Sequence, residues 1–317
     1  MKRNILVLIP LEEKNKKLLE QKDISADYVY ETPKTVEREQ VQAANIIIGN
    51  PPVDMVKGSE NLEWLQLESA GVGKYTDKDV LPEDAVLTNA SGSYGLAISE
   101  YMLAVLFELY KKLHLYRDDQ AKHIWKYEGE VKSIYRSTAL IIGLGDIGGE
   151  FAKRVKALGA YTIGVRRKNP SKPDYLDELH FMDDLETLLP RADIVTLSLP
   201  ATKLTNKIIN ERTLKLMKKD AVLINVGRGN AIDTDALCDA LENGHLLGAA
   251  LDVTDPEPLP EGHRLWRMKN AVITPHVSGG YSLHETYKRI VRLAISNLEA
   301  FVGGKDVVNI VNRSAGY

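Results

Sequence analysis

The chain has a single cysteine, Cys238, among 317 residues. It cannot close an internal disulfide, and a cysteine-rich zinc module is excluded. Long apolar runs are missing as well. No stretch reaches the roughly 18 apolar residues of a membrane-spanning helix. The run Ile5–Ile9 is too short for the core of a secretory signal and reads as a buried first strand. A soluble, cytoplasmic protein with no membrane partner is expected. There is no cationic excess either. The 41 Lys and Arg against 44 Asp and Glu leave a net charge of −3, which argues against a nucleic-acid partner. No G-x-x-x-x-G-K-[ST] loop occurs, which counts against a P-loop NTPase. The histidines other than His276 show no metal-ligand spacing, and no metal is expected.

What the chain does have is regular alternation. With 44% hydrophobic residues it can bury packed cores, and its length suggests two domains. Strand-like runs in the first hundred residues are Ile5–Ile9, Tyr28–Tyr30, Ile46–Ile48, Trp64–Leu67 and Val86–Leu87, separated by charged, helix-prone segments. Such alternation predicts βα units and parallel sheets. Ser99–Gln120 lacks glycine and proline and carries apolar residues at helical spacing. It reads as one long helix, either a core element or one that also packs on a second copy. A second series follows: Thr138–Gly143, Tyr161–Val165, Asp193–Leu199, Ala221–Val226, Leu246–Val253 and Ala271–Thr274. Six strands with helical crossovers suit a doubly wound nucleotide domain. Trp125 reads as a packing residue.

The strongest local motif is Gly143-Leu144-Gly145-Asp146-Ile147-Gly148. A strand ends into this G-x-G-x-x-G and a helix opens from it. Gly143 permits a tight turn, Gly145 close approach of a pyrophosphate, and Gly148 strand–helix packing, with the helix N–H groups facing the phosphates. The alternative is an ordinary glycine-rich turn. At the end of the next strand, where an acid usually receives ribose hydroxyls, stand Arg166, Arg167 and Lys168. Guanidinium groups suit a 2′-phosphate, so NADP(H) is expected, with NAD(H) as the second choice. A solvated basic loop is the bland alternative. Three further segments follow strands: Asn225–Gly229, Asp252–Pro258 and Thr274–Gly280. They carry Arg228, Glu257 and His276, the last two nineteen residues apart. Open α/β sheets place ligands at strand C-termini.

These motifs, with Ser69-Ala70-Gly71-Val72 and Leu199-Pro200, run over most of the chain. Together they resemble the D-isomer-specific 2-hydroxyacid dehydrogenase family, most of all its glyoxylate and hydroxypyruvate reductases. The resemblance implies an α/β protein of two doubly wound parallel-sheet domains. A Rossmann nucleotide domain, 99–283, is inserted into a flavodoxin-like substrate domain, 1–98 and 284–317. It implies a homodimer, with the helix near Ser99–Leu113 contributing. It assigns Arg228 and the N–H groups of Ala70, Gly71 and Val72 to the substrate. His276 becomes the general acid, and Glu257 orients its imidazole and favours the protonated form. Cofactor contacts fall to Gly143, Gly145, Asp146, Ile147, Gly148, Arg166, Arg167, Pro200, Val226, Gly227, Asp252, His276 and Ser278. Asp252 lies near the nicotinamide end on this reading, or else is a structural turn residue. The chain departs from the family pattern at Gly73, where Asp is common, at Arg136, where Gly is common, and at Arg166, where Asp is common. The expected activity is reduction of a small 2-keto acid to the D-2-hydroxy acid. The alternatives are a bulkier keto acid, or a dinucleotide sensor without turnover.

Overall fold

The structure is a computed structural model and describes residues 2–316. Met1 and Tyr317, the ends of the expected substrate domain, lie outside the described residues. The chain divides into two compact units, Met1–Tyr94 with Gly280–Tyr317, and Gly95–Gly279. The divisions fall a few residues before 98/99 and 283/284. The first coincides with the start of helix Gly95–Tyr110, and the second lies between two adjacent glycines.

In the first unit five parallel strands, β1 (Asn4–Val7), β2 (Asp27–Tyr30), β3 (Ile46–Ile48), β4 (Trp64–Gln66) and β5 (Val86–Thr88), lie in the order β2-β1-β3-β4-β5. Alternate side chains feed two cores. Leu6, Ile47, Leu65 and Leu87 pack with Val41, Val56 and Tyr75 on one face. Ile5, Val7, Ile46, Ile48 and Trp64 meet Tyr287, Val291, Ala294 and Leu298 of helix His284–Val302 on the other. Burial on both faces explains why β1, β3 and β4 read as continuous apolar runs.

The second unit carries a parallel sheet of seven strands: β6 (Thr138–Ile142), β7 (Tyr161–Arg166), β8 (Glu178–Phe181), β9 (Ile194–Leu197), β10 (Val222–Asn225), β11 (Gly248–Leu251) and β12 (Ala271–Ile273). The order β12-β11-β10-β9-β6-β7-β8 is that of a doubly wound nucleotide domain. The seventh strand, β8, escaped the sequence reading. Its Glu178-Leu179-His180-Phe181 is half polar and pairs only with β7, at the sheet edge.

The expected long helix is two. Gly95–Tyr110 and Leu113–Ala121 are separated at Lys112, which sits at φ +58. The break is tertiary in origin. Lys111 Nζ donates to the carbonyl of Lys132 at 2.7 Å, and Lys112 Nζ to that of Glu128, tying the chain to a returning segment. Arg136 lies at φ +64, a backbone conformation glycine adopts freely and other residues reach at about 1–2 kcal/mol. That accounts for the glycine common at this position in the family.

Candidate active site

The dinucleotide loop is shaped by close contacts. Gly143 donates its N–H to the Val165 carbonyl at 2.9 Å and lies at φ +99. A Cβ there would stand 2.6 Å from the Ser198 carbonyl oxygen. Ser198 Oγ in turn donates to the Gly143 carbonyl at 2.8 Å, pinning the turn to the end of β9. Gly148, in the first turn of helix Asp146–Ala157, leaves room only for hydrogen, since a Cβ would lie 1.9 Å from the Gly143 oxygen. A Cβ on Gly145 would meet nothing within 4 Å.

No side chain caps this helix, so its first-turn N–H groups, those of Asp146, Ile147 and Gly148, have no helical acceptor. The Asp146 carboxylate accepts from the Gly95 N–H at 2.6 Å and so is committed to the start of the neighbouring helix. An open glycine face, an uncapped helix N-terminus and an acid engaged elsewhere fit a dinucleotide diphosphate.

Arg166 ends β7, directly after Val165, whose carbonyl accepts the Gly143 N–H. Its Nη2 donates to the Ser171 carbonyl, while its Nε is buried without a hydrogen-bond partner among the described residues. Arg167 and Lys168 follow, both exposed.

The Leu199-Pro200 turn and the Arg228 loop touch through glycine. A Cβ on Gly227 would stand 2.6 Å from the Leu199 nitrogen. Thr205 Oγ1 donates to the Pro200 carbonyl at 2.7 Å, and Val226 is buried. A Cβ on Gly229 would fall 2.0 Å from the Thr254 carbonyl, so glycine lets the Arg228 loop lie against the segment bearing Glu257. Asn225, fully buried, fastens that loop. Its Nδ2 donates to the Arg228 carbonyl at 2.9 Å and its Oδ1 accepts from the Gly227 N–H at 3.1 Å.

His276 lies at φ +54, and its main-chain N–H donates to the Asp252 carbonyl at 2.9 Å. Its Nδ1 is 3.1 Å from Glu257 Oε2, while Glu257 Oε1 accepts from the Thr254 N–H, also at 3.1 Å. The carboxylate is thus anchored on one oxygen and holds the imidazole with the other. Nε2 makes no hydrogen bond to the described residues.

Asp252, 2% exposed, is the post to which this strap is tied. Its oxygens accept from Thr274 Oγ1 and from Val277 N–H, Ser278 N–H and Ser278 Oγ. These bonds hold the strap to the end of β11 and also occupy the Ser278 hydroxyl. Because Thr274 donates to Asp252, the Tyr101 phenol 2.6 Å away donates to Thr274. Burial pushes the Tyr101 phenol up to about 12, which keeps that proton in place.

In the other unit the turn after β4 has its carbonyls satisfied. Ser69 O accepts from Ala90 N at 2.9 Å, Ala70 O from Asn89 Nδ2 at 2.8 Å, Gly71 O from Ser69 Oγ at 2.6 Å, and Val72 O from Tyr75 N at 3.2 Å. The N–H groups of Ala70, Gly71 and Val72 have no partner among the described residues. Such a run of free donors is an anion-binding element. Asn50 braces the turn, accepting from Glu68 N–H and donating to Ser69 Oγ, both at 3.0 Å. Gly73, at φ +50, opens a short 3₁₀ turn, a left-handed start that glycine enters without strain. Glu68 accepts from the Tyr281 phenol, and burial pushes its carboxyl above the usual range.

Ser198, Asn225, Thr274, Tyr101, Asn50 and Asn89 had no assigned role in the sequence reading. Asn225 and Thr274 lie inside motifs already singled out and could have been suspected. Asn50 and Asn89 reach the turn from other strand ends, and no local pattern marks them.

Residues 103–278 match the family model for the D-isomer specific 2-hydroxyacid dehydrogenase, NAD binding domain. Over 265 residues, 81% of this chain and 84% of the relative, the chain is 37% identical to an uncharacterized protein in the proB 3′ region of Corynebacterium melassecola. It is 30% identical over 267 residues to a glyoxylate reductase of Thermofilum pendens, covering 82% of this chain and 78% of the relative. Its structure resembles the crystal structure of a D-isomer specific 2-hydroxyacid dehydrogenase family protein from Aeromonas salmonicida subsp. salmonicida. The TM-score is 0.87 at 29% identity, covering 99% of this chain and 100% of that one. The chain therefore belongs to the D-isomer specific 2-hydroxyacid dehydrogenase family, with NAD(P)(H) as its cofactor.

Proposed function

We propose that the protein reduces small 2-keto acids, glyoxylate and hydroxypyruvate foremost, to D-2-hydroxy acids, and that it prefers NADPH to NADH. The observation that carries the reaction is the His276–Glu257 pair at 3.1 Å. With Nδ1 held by a carboxylate, Nε2 is the atom that gives a proton to the keto oxygen on reduction and takes it back on oxidation. The bound dinucleotide supplies the hydride. Arg228 holds substrate oxygens with a guanidinium that stays charged and binds two at once. In the other unit, the N–H groups of Ala70, Gly71 and Val72 receive a carboxylate. The substrate class follows the name of the Thermofilum pendens relative.

The cofactor preference rests on Arg166, which ends β7 at the position where the family commonly carries Asp and is followed by the exposed Arg167 and Lys168. A guanidinium pairs with a 2′-phosphate through charge-assisted hydrogen bonds, and no carboxylate stands there to accept from the ribose hydroxyls. A charge-assisted hydrogen bond contributes about 1.5–3 kcal/mol, so efficiency with NADPH should exceed that with NADH about tenfold or more. The setting we propose is cytoplasmic, in keeping with one buried, unpaired cysteine. Among the described residues no helix is long and apolar enough to cross a membrane.

We also propose a homodimer. Trp125 is fully exposed rather than packed, and Leu113, Ile124, Tyr127, Val131 and Tyr135 are exposed with it. A second copy covering this segment explains so much open apolar surface. Sedimentation as a single chain would remove that proposal.

Steady-state assays with both cofactors and both keto acids test the function. His276→Ala should lower turnover by roughly 10²–10⁴-fold with dinucleotide affinity kept, and Arg166→Asp with Arg167→Ser should erode the NADPH preference. Near wild-type turnover in the folded His276→Ala protein removes the acid assignment. Equal use of both cofactors by the wild type removes the NADP assignment.

A further inference from the structure

Glu68 follows β4, directly before the turn whose N–H groups are free, and the proposed reaction does not use it. Its main chain is bonded on both sides. Asn50 Oδ1 accepts from its N–H at 3.0 Å, and the Tyr94 phenol donates to its carbonyl at 2.5 Å. The carboxylate is partly buried, and its one side-chain partner is the Tyr281 phenol on Oε2. No cation among the described residues offsets it. Oε1 accepts no hydrogen bond from the described residues and is not enclosed, so it remains open to a ligand. Tyr75, Tyr94 and Tyr281 all lie within reach of its field. Buried carboxylates normally have a cation or several donors. This one has a phenol on one oxygen and, among the described residues, no donor on the other.

We propose that Glu68 is the specificity residue for the substituent on the carbon beyond the keto carbon. Oε1 accepts a hydrogen bond from a hydroxyl there, and the charge repels a second carboxylate. The inference rests on reading the Ala70–Val72 turn as the site of the substrate carboxylate. A methyl at that carbon leaves Oε1 desolvated and unpaired, a loss that polar sites exact heavily. Glyoxylate has no such carbon and serves as the internal reference.

The experiment measures kcat/KM for glyoxylate, hydroxypyruvate, pyruvate and oxaloacetate in wild type, Glu68→Leu and Glu68→Gln. Comparing ratios between proteins cancels the intrinsic reactivity of each acid. The hydroxypyruvate-to-pyruvate ratio should fall at least about tenfold in Glu68→Leu, the scale of one lost hydrogen bond to a charged group. The oxaloacetate-to-pyruvate ratio should rise in both variants. Glu68→Gln keeps an acceptor, so it should lose less of the hydroxypyruvate preference, and it decides the matter if Glu68→Leu does not fold. Ratios unchanged within about threefold in a folded variant that still reduces glyoxylate overturn the Glu68 assignment alone. A wild type that reduces none of the four acids overturns the keto-acid reading and this inference with it.

Discussion

The loop Gly143–Gly148 and the turn Ser69–Gly73 both follow a parallel strand, and both leave main-chain N–H groups without acceptors among the described residues. They are held in opposite ways. The first is held by absence: Gly143 and Gly148 admit neighbouring backbone so closely that a single methyl would collide. The second is held by presence: two asparagines from other strand ends and a serine from the turn itself satisfy its acceptors and leave its donors over. A steric device is written locally, in consecutive residues. A hydrogen-bonded device is written across the chain.

The difference can be broken most severely at Gly148. Gly148→Ala should weaken dinucleotide binding by about two orders of magnitude, near the upper end of the roughly 1–3 kcal/mol of overpacking. Gly145→Ala sharpens the point, because its methyl meets no protein atom. Its melting temperature should stay within about 2 °C of wild type, while dinucleotide affinity falls about tenfold as the methyl enters phosphate space. Fluorescence titration reads both, and full affinity in Gly145→Ala would place the diphosphate elsewhere.

On the other side, Asn89→Ala removes the donor to the Ala70 carbonyl. One neutral hydrogen bond contributes about 0.5–1.5 kcal/mol. KM for the keto acid should therefore rise about threefold to tenfold, with dinucleotide affinity kept. An unchanged KM would show that the turn needs no such brace.

The smallest expected effect is one of stability. The raised carboxyl of Glu68 means that the fold favours its neutral form. The cost of keeping it charged is absent below the unfolded value of about 4.3 and complete once the pH exceeds the folded value. Glu68→Gln should therefore melt about 1–3 °C higher than wild type near pH 8, with the gain vanishing near pH 3.5. An equal gain at both pH values would assign it to packing rather than charge.

Legibility followed the same division. The strand runs and the glycine fingerprint were readable, because burial on both faces and steric closeness each demand particular residue types in short stretches. β8 was not readable, since an edge strand paired on one side tolerates Glu178 and His180. Nor was the break at Lys112, a residue with no turn signature that is held at φ +58 where the chain is tied to the Lys132 and Glu128 carbonyls. Arg228, Glu257 and His276 could be named as candidates from their motifs. Whether Glu257 touched His276 was a question of two loops nineteen residues apart, and the structure answers it at 3.1 Å.

By itself, the sequence determined the alternation of buried strands and helices, the glycines that let backbones meet, and the charge at the end of β7. Each depends on residue type within a few positions. Only the tertiary structure decided which acceptors were already taken. It committed Asp252 to the His276 strap and Asp146 to the Gly95 N–H, and it left Arg166 Nε and the N–H groups of Ala70 to Val72 without partners among the described residues. Hydrogen-bond satisfaction is settled by atoms far apart in the chain, and a donor left over can be recognised only after all the others are placed.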